Sequence, residues 1–390
     1  SGELSVRYGA TIDWVHSLDV VLADGNLYTF KELTKDEWFE KQKQETFEGK
    51  IYRKVAHILD ACHFLFETNV PKVSKNAAGY QLWKIYNPKT NTYNLSRLFV
   101  ASQGTLGIIA NATLKLTETP LHRRLVACPL TDLSVLGNVL HALKAASPES
   151  IETYDTHTYT LAKTYHQKEA ELVSFVSDHA LLTLFVQVAE DTDEGTHIKQ
   201  NEIVEVLRLH NLTPYIPENQ ETVEAFFTIR RASFRMLMAL KSSQSRVAPC
   251  IEDTIVPVER YGEFLTQLKP ILDDYTLTYT YAGHIGDGSI RLIPLADFSD
   301  PKTPEMLMEL SHRVYDLVIE LGGSMSVDHN DGLLRTHYLE KQYGKELVEM
   351  FKDIKTFFDP QNIFNPGKKV PTEKQGTELY AKKHIHKKNG

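Results

Sequence analysis

Two short segments of this chain bring a histidine together with an aspartate and several glycines. The first reads Gly-His-Ile-Gly-Asp-Gly-Ser over residues 283–289, and the second reads Val-Asp-His-Asn-Asp-Gly over residues 327–332. Glycine gives each loop the backbone freedom that lets polar side chains converge on a ligand. An imidazole has the basicity to take a proton near neutral pH, which suggests acid–base chemistry. Asp-Gly is also an ordinary turn signal, and two structural turns with incidental histidines are the alternative.

Each of these loops follows a predicted regular element. Residues 275–281 alternate apolar and polar positions as a half-buried strand does, and this strand leads into the first loop. Residues 304–321 place their apolar side chains on one helical face, and Gly322-Gly323 end that helix before the second loop. We therefore expect the two loops to form the two halves of one polar site.

The rest of the sequence predicts a mixture of helices and strands. The predicted elements are a β-hairpin within 5–30, helices within 35–67, two strands within 97–116, a strand at 181–188, and helices at 132–145, 194–210, 219–241 and 344–358. From 121 to 217 strands and helices alternate, which favours an antiparallel sheet with helices on one face.

Composition limits the classes of function. The 390 residues, with 42% hydrophobic and 24% charged residues, are typical of a globular protein of two domains or slightly more. The net charge of −8 argues against a nucleic-acid partner. No apolar run has the length of a membrane span. Cys62, Cys128 and Cys250 are scattered and suggest neither a zinc ribbon nor an iron–sulfur cluster. This cysteine usage suits the cytoplasm, and a peripheral position at the membrane stays open.

Five further segments, in their order along the chain, resemble a known family. They are Arg-Tyr-Gly-Ala-Thr (7–11), Lys-Asn-Ala-Ala-Gly-Tyr (75–80), Ser-Arg-Leu-Phe-Val-Ala-Ser-Gln-Gly-Thr-Leu-Gly-Ile-Ile (96–109), Glu-Asp-Thr-Ile-Val-Pro (252–257) and Phe-Asp-Pro-Gln-Asn-Ile-Phe-Asn-Pro-Gly-Lys (358–368). Together with the two histidine loops they resemble the FAD-linked oxidases of the vanillyl-alcohol oxidase, or PCMH, type. Within that family the chain is most similar to the D-2-hydroxyacid dehydrogenases, which act on D-lactate, glycolate or D-2-hydroxyglutarate.

The resemblance implies an α+β fold with a partial PCMH-type FAD-binding domain and an antiparallel, ferredoxin-like substrate or cap domain. Residues 1–120 would form the second half of the FAD-binding domain, and 121–325 the FAD-linked oxidase C-terminal domain. Residues 326–370 would return to the flavin site, and 371–390 would form a basic tail. The family's first half-domain, with its glycine-rich loop, has no counterpart here. A missing N-terminal segment or a partner subunit would therefore have to complete the flavin site.

The resemblance also implies that FAD is the cofactor. The Gly-Thr-Leu-Gly segment at 104–107 permits close approach of the backbone, whose N–H groups can bind an anion such as a pyrophosphate. Without the resemblance this segment would be interpreted as a structural turn. The cofactor-binding residues that it predicts are Arg7, Tyr8, Gly9, Asn76, Gly104, Thr105, Gly107, Ile108 and Asn365.

His329 is the predicted catalytic base. It would take the hydroxyl proton of a 2-hydroxy acid while the α-hydrogen leaves as hydride to the flavin. Arg230 matches a family arginine that binds the substrate carboxylate, and Arg291 could bind the same group by a two-pronged hydrogen bond. A structural role for His329 and a solvated position for Arg230 are the alternatives. Ile251 stands where the dicarboxylate-using members have a lysine, which favours a small, D-lactate-like substrate.

His284 and Asp328 match metal ligands of the zinc- or manganese-using members. Arg291 stands where those members have a second histidine, and a guanidinium repels a divalent cation, so metal binding is expected to be weak or absent. Two functions are left open. One is an FAD-dependent dehydrogenase that oxidises a small D-2-hydroxy acid and passes electrons to an unknown acceptor. The other is a non-catalytic or partner-dependent subunit of an oxidase complex.

Overall fold

A computed structural model describes residues 2–240 and 245–371 of the chain. Its strands are β1 Val15–Val21, β2 Leu27–Thr34, β3 Tyr86–Asn87, β4 Thr92–Asn94, β5 Ile108–Leu114, β6 His122–Leu130, β7 Ser150–Asp155, β8 Leu182–Glu190, β9 Ser245–Val247, β10 Thr254–Ile255, β11 Thr278–Gly283 and β12 Ser289–Asp297. Its helices are α1 Ser5–Tyr8, α2 Thr11–Trp14, α3 Lys35–Lys43, α4 Phe47–Asn69, α5 Ser96–Phe99, α6 Leu136–Ala145, α7 Thr156–Tyr165, α8 Gln167–Leu172, α9 Ser174–Ser177, α10 Asp193–Leu209, α11 Gln220–Ala239, α12 Tyr261–Asp273, α13 Thr303–Glu320, α14 Gly332–Arg335 and α15 Leu339–Phe358. None of these helices combines the length and the apolar character that crossing a membrane requires.

The first sheet has five antiparallel strands in the order β3-β4-β2-β1-β5. Strands β1 and β2 form the predicted hairpin, whose turn contains Gly25 with a φ of +79°. The helices predicted within 35–67 are confirmed as α3 and α4, and α4 packs against α15. The buried aromatic side chains of Phe30 and Phe99 stack at 4.9 Å between ring centroids, which joins this sheet to α5.

The second sheet has seven antiparallel strands, with β10-β12-β11-β7-β8-β6 in order and β9 beside β12. The predicted α+β fold class is confirmed, with one correction. Helices cover both faces of this sheet, because Val126 and Cys128 in β6 face α6 and α10 while Leu125 and Ala127 face α7 and α11. The sequence pattern contained this information, since the nearly unbroken apolar run of β8 is typical of a strand that is buried on both faces.

Two segments that were predicted as strands are helical. Residues 5–14 form the short helices α1 and α2 rather than the first strand of the hairpin. The first of the two strands expected within 97–116 is instead α5, because the Asn94 side chain accepts hydrogen bonds from the Ser96 amide and hydroxyl groups. Such an Asx turn offers the backbone an alternative to continuing the strand. Local hydrogen bonding therefore overrode strand propensity.

The C-terminal segment returns to the first sheet. The helix predicted at 344–358 is confirmed within α15, where Gly344 adopts a φ of +77° and kinks the helix. Lys355, near the end of α15, donates hydrogen bonds to the Thr105 and Phe364 carbonyl oxygens at 2.8 and 2.7 Å. The Asn365 amide donates to the Gln103 carbonyl oxygen at 2.6 Å. The proposed domain boundaries stay a prediction, and the predicted tail lies outside the described residues except for Pro371.

Candidate active site

The first histidine loop is a tight turn between two neighbouring strands. Strand β11 ends at Gly283, and β12 begins at Ser289. Gly288 adopts a φ of +81°, and a Cβ atom there would lie 1.9 Å from the Val256 carbonyl oxygen. Only glycine fits this position, so the turn chemistry predicted from the sequence is present. The turn directs His284 into the protein, where the side chain is buried.

Buried His284 lies between a carboxylate and a guanidinium. Its Nδ1 atom is 2.7 Å from Glu152 Oε1, and Arg230 Nη2 lies 3.0 and 3.2 Å from the two ring nitrogens. Burial, together with the positive charges of Arg230, Lys75 and Arg291, lowers the pKa of His284 to about 2. The imidazole is therefore neutral at physiological pH and fixed by its neighbours.

All three guanidinium nitrogens of Arg230, on α11, contact other side chains of the protein. Its Nε is 2.7 Å from Glu152 Oε2, its Nη1 donates to Glu3 at 3.2 Å, and its Nη2 contacts His284. The neighbouring Arg231, whose side chain is 54% exposed, binds Glu3 through two hydrogen bonds of 2.8 and 2.7 Å. The solvated position considered for Arg230 thus belongs to Arg231, and Arg230 is the centre of a buried ion-pair network.

The second histidine loop is shaped by a buried carboxylate. Asp253 accepts hydrogen bonds from the backbone N–H groups of Asp328 at 3.0 Å and His329 at 2.8 Å, and from the Ser326 hydroxyl at 2.7 Å. These bonds satisfy backbone donors that the loop cannot pair internally. The orientation of the loop therefore depends on the segment at 252–254, which leads into β10.

The imidazole of His329 is accessible and oriented by a second carboxylate. Its side chain is 40% exposed, and its Nδ1 lies 3.4 Å from Glu252 Oε1. This hydrogen bond, helped by the charge of Asp253, raises the pKa of His329 above its ordinary value. An accessible imidazole held by a carboxylate is the arrangement that general-base catalysis requires.

Glu252 is itself held in its ionised form. Burial alone would raise its pKa, but the pKa is lowered because the Arg335 guanidinium donates to both carboxylate oxygens, at 3.2 and 3.0 Å. Arg335 also donates from Nε to the Asn330 carbonyl oxygen at 3.0 Å. Arg335 on α14 thereby connects the carboxylate that orients His329 to the loop that carries it.

Three predicted site residues line one cavity of about 360 Å³: Arg230, Arg291 and His329. Glu252 lines the same cavity. Arg291 on β12 is 34% exposed, and its Nη2 lies 3.9 Å from Asp328 Oδ2. Its buried Nε has no hydrogen-bond partner among the described residues. The nearest carboxylate to the Arg291 guanidinium among the described residues is thus 3.9 Å away, whereas Arg230 has contacts of 3.2 Å or less to Glu152, Glu3 and His284.

A second cavity, of about 410 Å³, borders part of the predicted cofactor site. Its walls include Asn76, Ala101 and Trp83, and Lys75 and Asp328 also line it. Its volume lies in the range of pockets that hold cofactors or drug-sized ligands, and its walls mix apolar and polar side chains. Binding of FAD in this cavity stays a prediction. The Asn76 amide already donates to the Tyr343 hydroxyl at 2.8 Å, which fixes its orientation.

The predicted Gly-Thr-Leu-Gly segment combines structural and exposed positions. The Thr105 hydroxyl is buried and hydrogen-bonded to the Tyr80 hydroxyl at 2.6 Å. A Cβ atom on Gly107 would lie 2.8 Å from a side-chain carbon of Val20, so glycine is required there for packing. Gly104 has a φ of +66° and open space around it, and Ile108 is exposed at the start of β5. Anion binding by this segment stays a prediction.

Arg7, Tyr8 and Gly9 join the N-terminal helices to the second sheet. The Arg7 guanidinium donates to the Ala189 carbonyl oxygen in β8 and lies over the Tyr8 ring at 5.7 Å. Gly9 adopts a φ of +73°, and its N–H donates to the Ser5 carbonyl oxygen at 2.8 Å. These contacts are structural, and a role of the three residues in binding FAD stays a prediction.

The predicted metal ligands do not fit a divalent cation. In the described part of the chain no three His, Cys, Asp or Glu side chains come together in a way that could hold a metal ion. His284 lies against the Arg230 guanidinium, and Asp328 Oδ1 lies 3.5 Å from the Lys75 ammonium group. Positive groups therefore stand where a cation would have to bind.

Several functional side chains escaped the sequence analysis. The segments at 75–80 and 252–257 were recognised as family-like, but Lys75, Glu252 and Asp253 were given no role. Glu152 and Arg335 carried no signal, because nothing in their neighbourhood along the chain marks a buried charge. A charged residue within an apolar or glycine-rich segment, such as Lys75, is the signal that could have been used.

Known proteins support the family. The sequence model of the FAD linked oxidases, C-terminal domain, matches residues 119–369. The D-2-hydroxyglutarate dehydrogenase of Escherichia coli is 29% identical over 385 residues, which cover 96% of this chain and 37% of that protein. The mitochondrial D-lactate dehydrogenase [cytochrome] of Arabidopsis thaliana is 24% identical over 377 residues, 95% of this chain and 55% of that protein. The chain thus spans between about a third and little more than half of the length of these two relatives.

The fold is also that of a known flavoprotein class. The crystal structure of p-cresol methylhydroxylase with substrate bound matches with a TM-score of 0.58 at 13% sequence identity, over 93% of this chain and 67% of that chain. At this identity the match concerns the fold alone. FAD is the cofactor from which the matched sequence family takes its name. Because the family match covers well over half of the residues, the chain belongs to the FAD-linked oxidases and carries their C-terminal domain.

Proposed function

We propose that this chain is the substrate-oxidising part of an FAD-dependent D-2-hydroxyacid dehydrogenase. The observation that carries the proposal is the 360 Å³ cavity in which accessible His329 and Arg291 face the same space. A 2-hydroxy acid offers a carboxylate for a cation and a hydroxyl proton for a base. One carboxylate-oriented histidine and one cavity-lining arginine are the groups that such a substrate needs.

In the proposed reaction each of these residues has a separate role. Arg291 binds the substrate carboxylate, and His329 takes the proton of the 2-hydroxyl group while a carbonyl forms at that carbon. Bound FAD supplies the acceptor for the α-hydrogen, which leaves as hydride. Glu252 stabilises the imidazolium that forms on His329, because its ionised carboxylate already contacts the ring. The products are the 2-oxo acid, the proton on His329 and the reduced cofactor.

The substrate is proposed to be small and D-lactate-like. Relatives are named as D-2-hydroxyglutarate and as D-lactate dehydrogenases, so the family allows both acids. Ile251 is buried and apolar, and cannot bind a second carboxylate. Arg231 lines the cavity, but Glu3 already holds its guanidinium with two hydrogen bonds. These contacts favour a monocarboxylate.

The substrate class can be tested by flavin reduction without oxygen. Full-length flavoprotein mixed anaerobically with D-lactate is expected to lose the visible absorption of its oxidised flavin. D-2-hydroxyglutarate is expected to reduce the flavin more slowly, and L-lactate serves as the control of matched composition. Faster reduction by D-2-hydroxyglutarate would assign the dicarboxylate instead. Retained FAD that none of these acids reduces would contradict the dehydrogenase proposal.

Replacing Arg291 by alanine is expected to weaken substrate binding. A charge-assisted hydrogen bond contributes roughly 1.5–3 kcal/mol, which corresponds to an increase of the KM for D-lactate by about ten- to a hundredfold. We expect a smaller change in kcat, because the base stays in place. Steady-state kinetics of Arg291→Ala beside Arg208→Ala, an exposed arginine on α10, would measure the difference. An unchanged KM would remove Arg291 from the carboxylate site.

A partner-dependent subunit is the alternative function, and strand β5 favours it. This strand lies at the edge of the five-stranded sheet, and all seven of its residues are exposed. Ile108, Ile109 and Leu114 present 60%, 45% and 52% of their surface to solvent. Exposed apolar edge strands favour pairing with another strand. For this alternative we propose that a strand of a partner subunit covers β5 and completes the flavin site.

A further inference from the structure

The ammonium group of Lys75 joins the two histidine loops. Its Nζ atom lies 3.4 Å from Asp287 Oδ2 in the first loop and 3.5 Å from Asp328 Oδ1 in the second. It also donates a hydrogen bond to the Ser5 hydroxyl at 2.9 Å. The Lys75 side chain is only 1% exposed, and it lines the 410 Å³ cavity. One buried cation therefore contacts both loops and the N-terminal helix α1.

The two carboxylates need a positive charge between them. The side chains of Asp287 and Asp328 are 2% and 7% exposed, and both face the same ammonium group. Two buried carboxylates that share a site without a cation repel each other, and burial alone disfavours each charge. The Ser74 hydroxyl donates to Asp287 at 2.9 Å, but a hydroxyl group supplies no net charge. Lys75 supplies the full positive charge at this position.

We propose that Lys75 is a positioning residue whose ammonium group takes the place of a divalent cation at the junction of the two loops. Its charge holds Asp328 in place, and Asp328 directly precedes His329 in the chain. The effect of Lys75 on catalysis by His329 rests on the function proposed above. The replacement of a divalent cation by the Lys75 ammonium group is argued from the contacts of Lys75 alone. In the sequence analysis Arg291 was the cation that stands in the place of a metal ligand. The Nη2 atom of Arg291, however, lies 3.9 Å from Asp328 Oδ2, and Lys75 reaches carboxylates of both loops.

Removing the ammonium group should create a cation site. In Lys75→Met, Asp287 and Asp328 lose the ammonium group that they share, and the neutral methionine fills most of the lysine volume. Because a unit charge within about 4 Å repels a cation strongly, we expect Mn²⁺ to bind Lys75→Met at least about a hundredfold more tightly than the parent. Isothermal titration of the purified full-length holoprotein with Mn²⁺ would measure the two affinities. This readout requires no turnover.

Two variants serve as controls for this titration. Lys72→Met removes an exposed lysine three residues earlier and should leave the Mn²⁺ affinity at the parent value. Lys75→Met combined with Asp328→Asn removes one of the two carboxylates and should lose most of the gained affinity. Lys75→Arg keeps a cation and should bind Mn²⁺ as weakly as the parent. A folded Lys75→Met protein that binds Mn²⁺ no better than Lys72→Met would overturn the proposal.

The proposal stays testable if Lys75→Met does not fold alone. A cation that binds only the native state stabilises it, so Mn²⁺ should then restore the native circular dichroism spectrum. Failure of Mn²⁺ to restore the fold would contradict the proposal as firmly as a missing gain in affinity.

The effect of Lys75 on His329 has a kinetic test. Lys75→Met should lower kcat for D-lactate more than it raises KM, and Lys75→Arg should recover most of the loss. If Lys75→Met gains the expected Mn²⁺ affinity but the parent oxidises no 2-hydroxy acid, the proposed function fails and this inference stands.

Discussion

His329→Ala is expected to slow the reduction of bound flavin by a D-2-hydroxy acid by about a hundred- to ten-thousandfold, which is the usual contribution of a general base. The imidazole lines the 360 Å³ cavity and combines accessibility with a fixed carboxylate partner. Without it, the hydroxyl proton has no acceptor as the carbonyl forms. Stopped-flow absorbance of full-length flavoprotein mixed anaerobically with D-lactate would measure the rate constant.

The control is a histidine outside the cavity. His197→Ala alters an exposed residue on α10 and should reduce flavin at the parent rate. His329→Ala should still bind substrate, because Arg291 is untouched, so the substrate concentration at half-saturation should change little. Flavin reduction at the parent rate in His329→Ala would disprove the assignment of the base.

The pH dependence gives the same assignment an independent test. His329 accepts a proton only when neutral, so kcat/KM should rise with pH through the pKa of His329 and then level off. The hydrogen bond to Glu252 raises that pKa. Glu252→Gln removes the negative charge, so the pKa of His329 should fall and the rising limb should move to lower pH. A limb that stays in place in Glu252→Gln would show that another group titrates there.

The sequence allowed the fold class and the main helices to be predicted, because apolar periodicity is a local property. It failed where side chains compete with the backbone, as Asn94 does at the start of α5. The prediction also missed that helices cover both faces of one sheet, although the apolar run of β8 is typical of a strand that is buried on both faces. The base His329 and the cavity arginines Arg230 and Arg291 were predicted from the family resemblance and from the chemistry of their side chains.

The partners of those residues could not be predicted, because they lie far away in the sequence. Glu152, which contacts His284, is 132 residues away from it, and Glu252 is 77 residues away from His329. No local pattern links such pairs. The sequence therefore predicted Arg230 as a ligand for substrate, and only the three-dimensional contacts reveal that buried Glu152 and Glu3 already occupy its donors.

Arg230→Ala is expected to destabilise the fold by about 3–5 kcal/mol, as removal of one partner of a buried ion pair usually does. The variant would leave fully buried Glu152 without the guanidinium that lies 2.7 Å from its carboxylate. Burial raises the pKa of Glu152, and the charge of Arg230 opposes that rise. Urea unfolding of the variant, followed by tryptophan fluorescence, would measure the change in the free energy of unfolding.

The neighbouring arginine makes this prediction specific. Arg231 binds the same Glu3 carboxylate but is 54% exposed, so Arg231→Ala should cost no more than about 1 kcal/mol of stability.

The loss of stability in Arg230→Ala should also depend on pH in a defined direction. Without Arg230 the pKa of Glu152 in the folded protein rises further. Folding then costs little at low pH, where Glu152 is protonated, and costs more at high pH, where the buried carboxylate would have to be ionised. The stability of Arg230→Ala relative to the parent should therefore fall as the pH rises. Equal stability of the two variants, with a raised KM for D-lactate in Arg230→Ala alone, would instead assign Arg230 to the substrate.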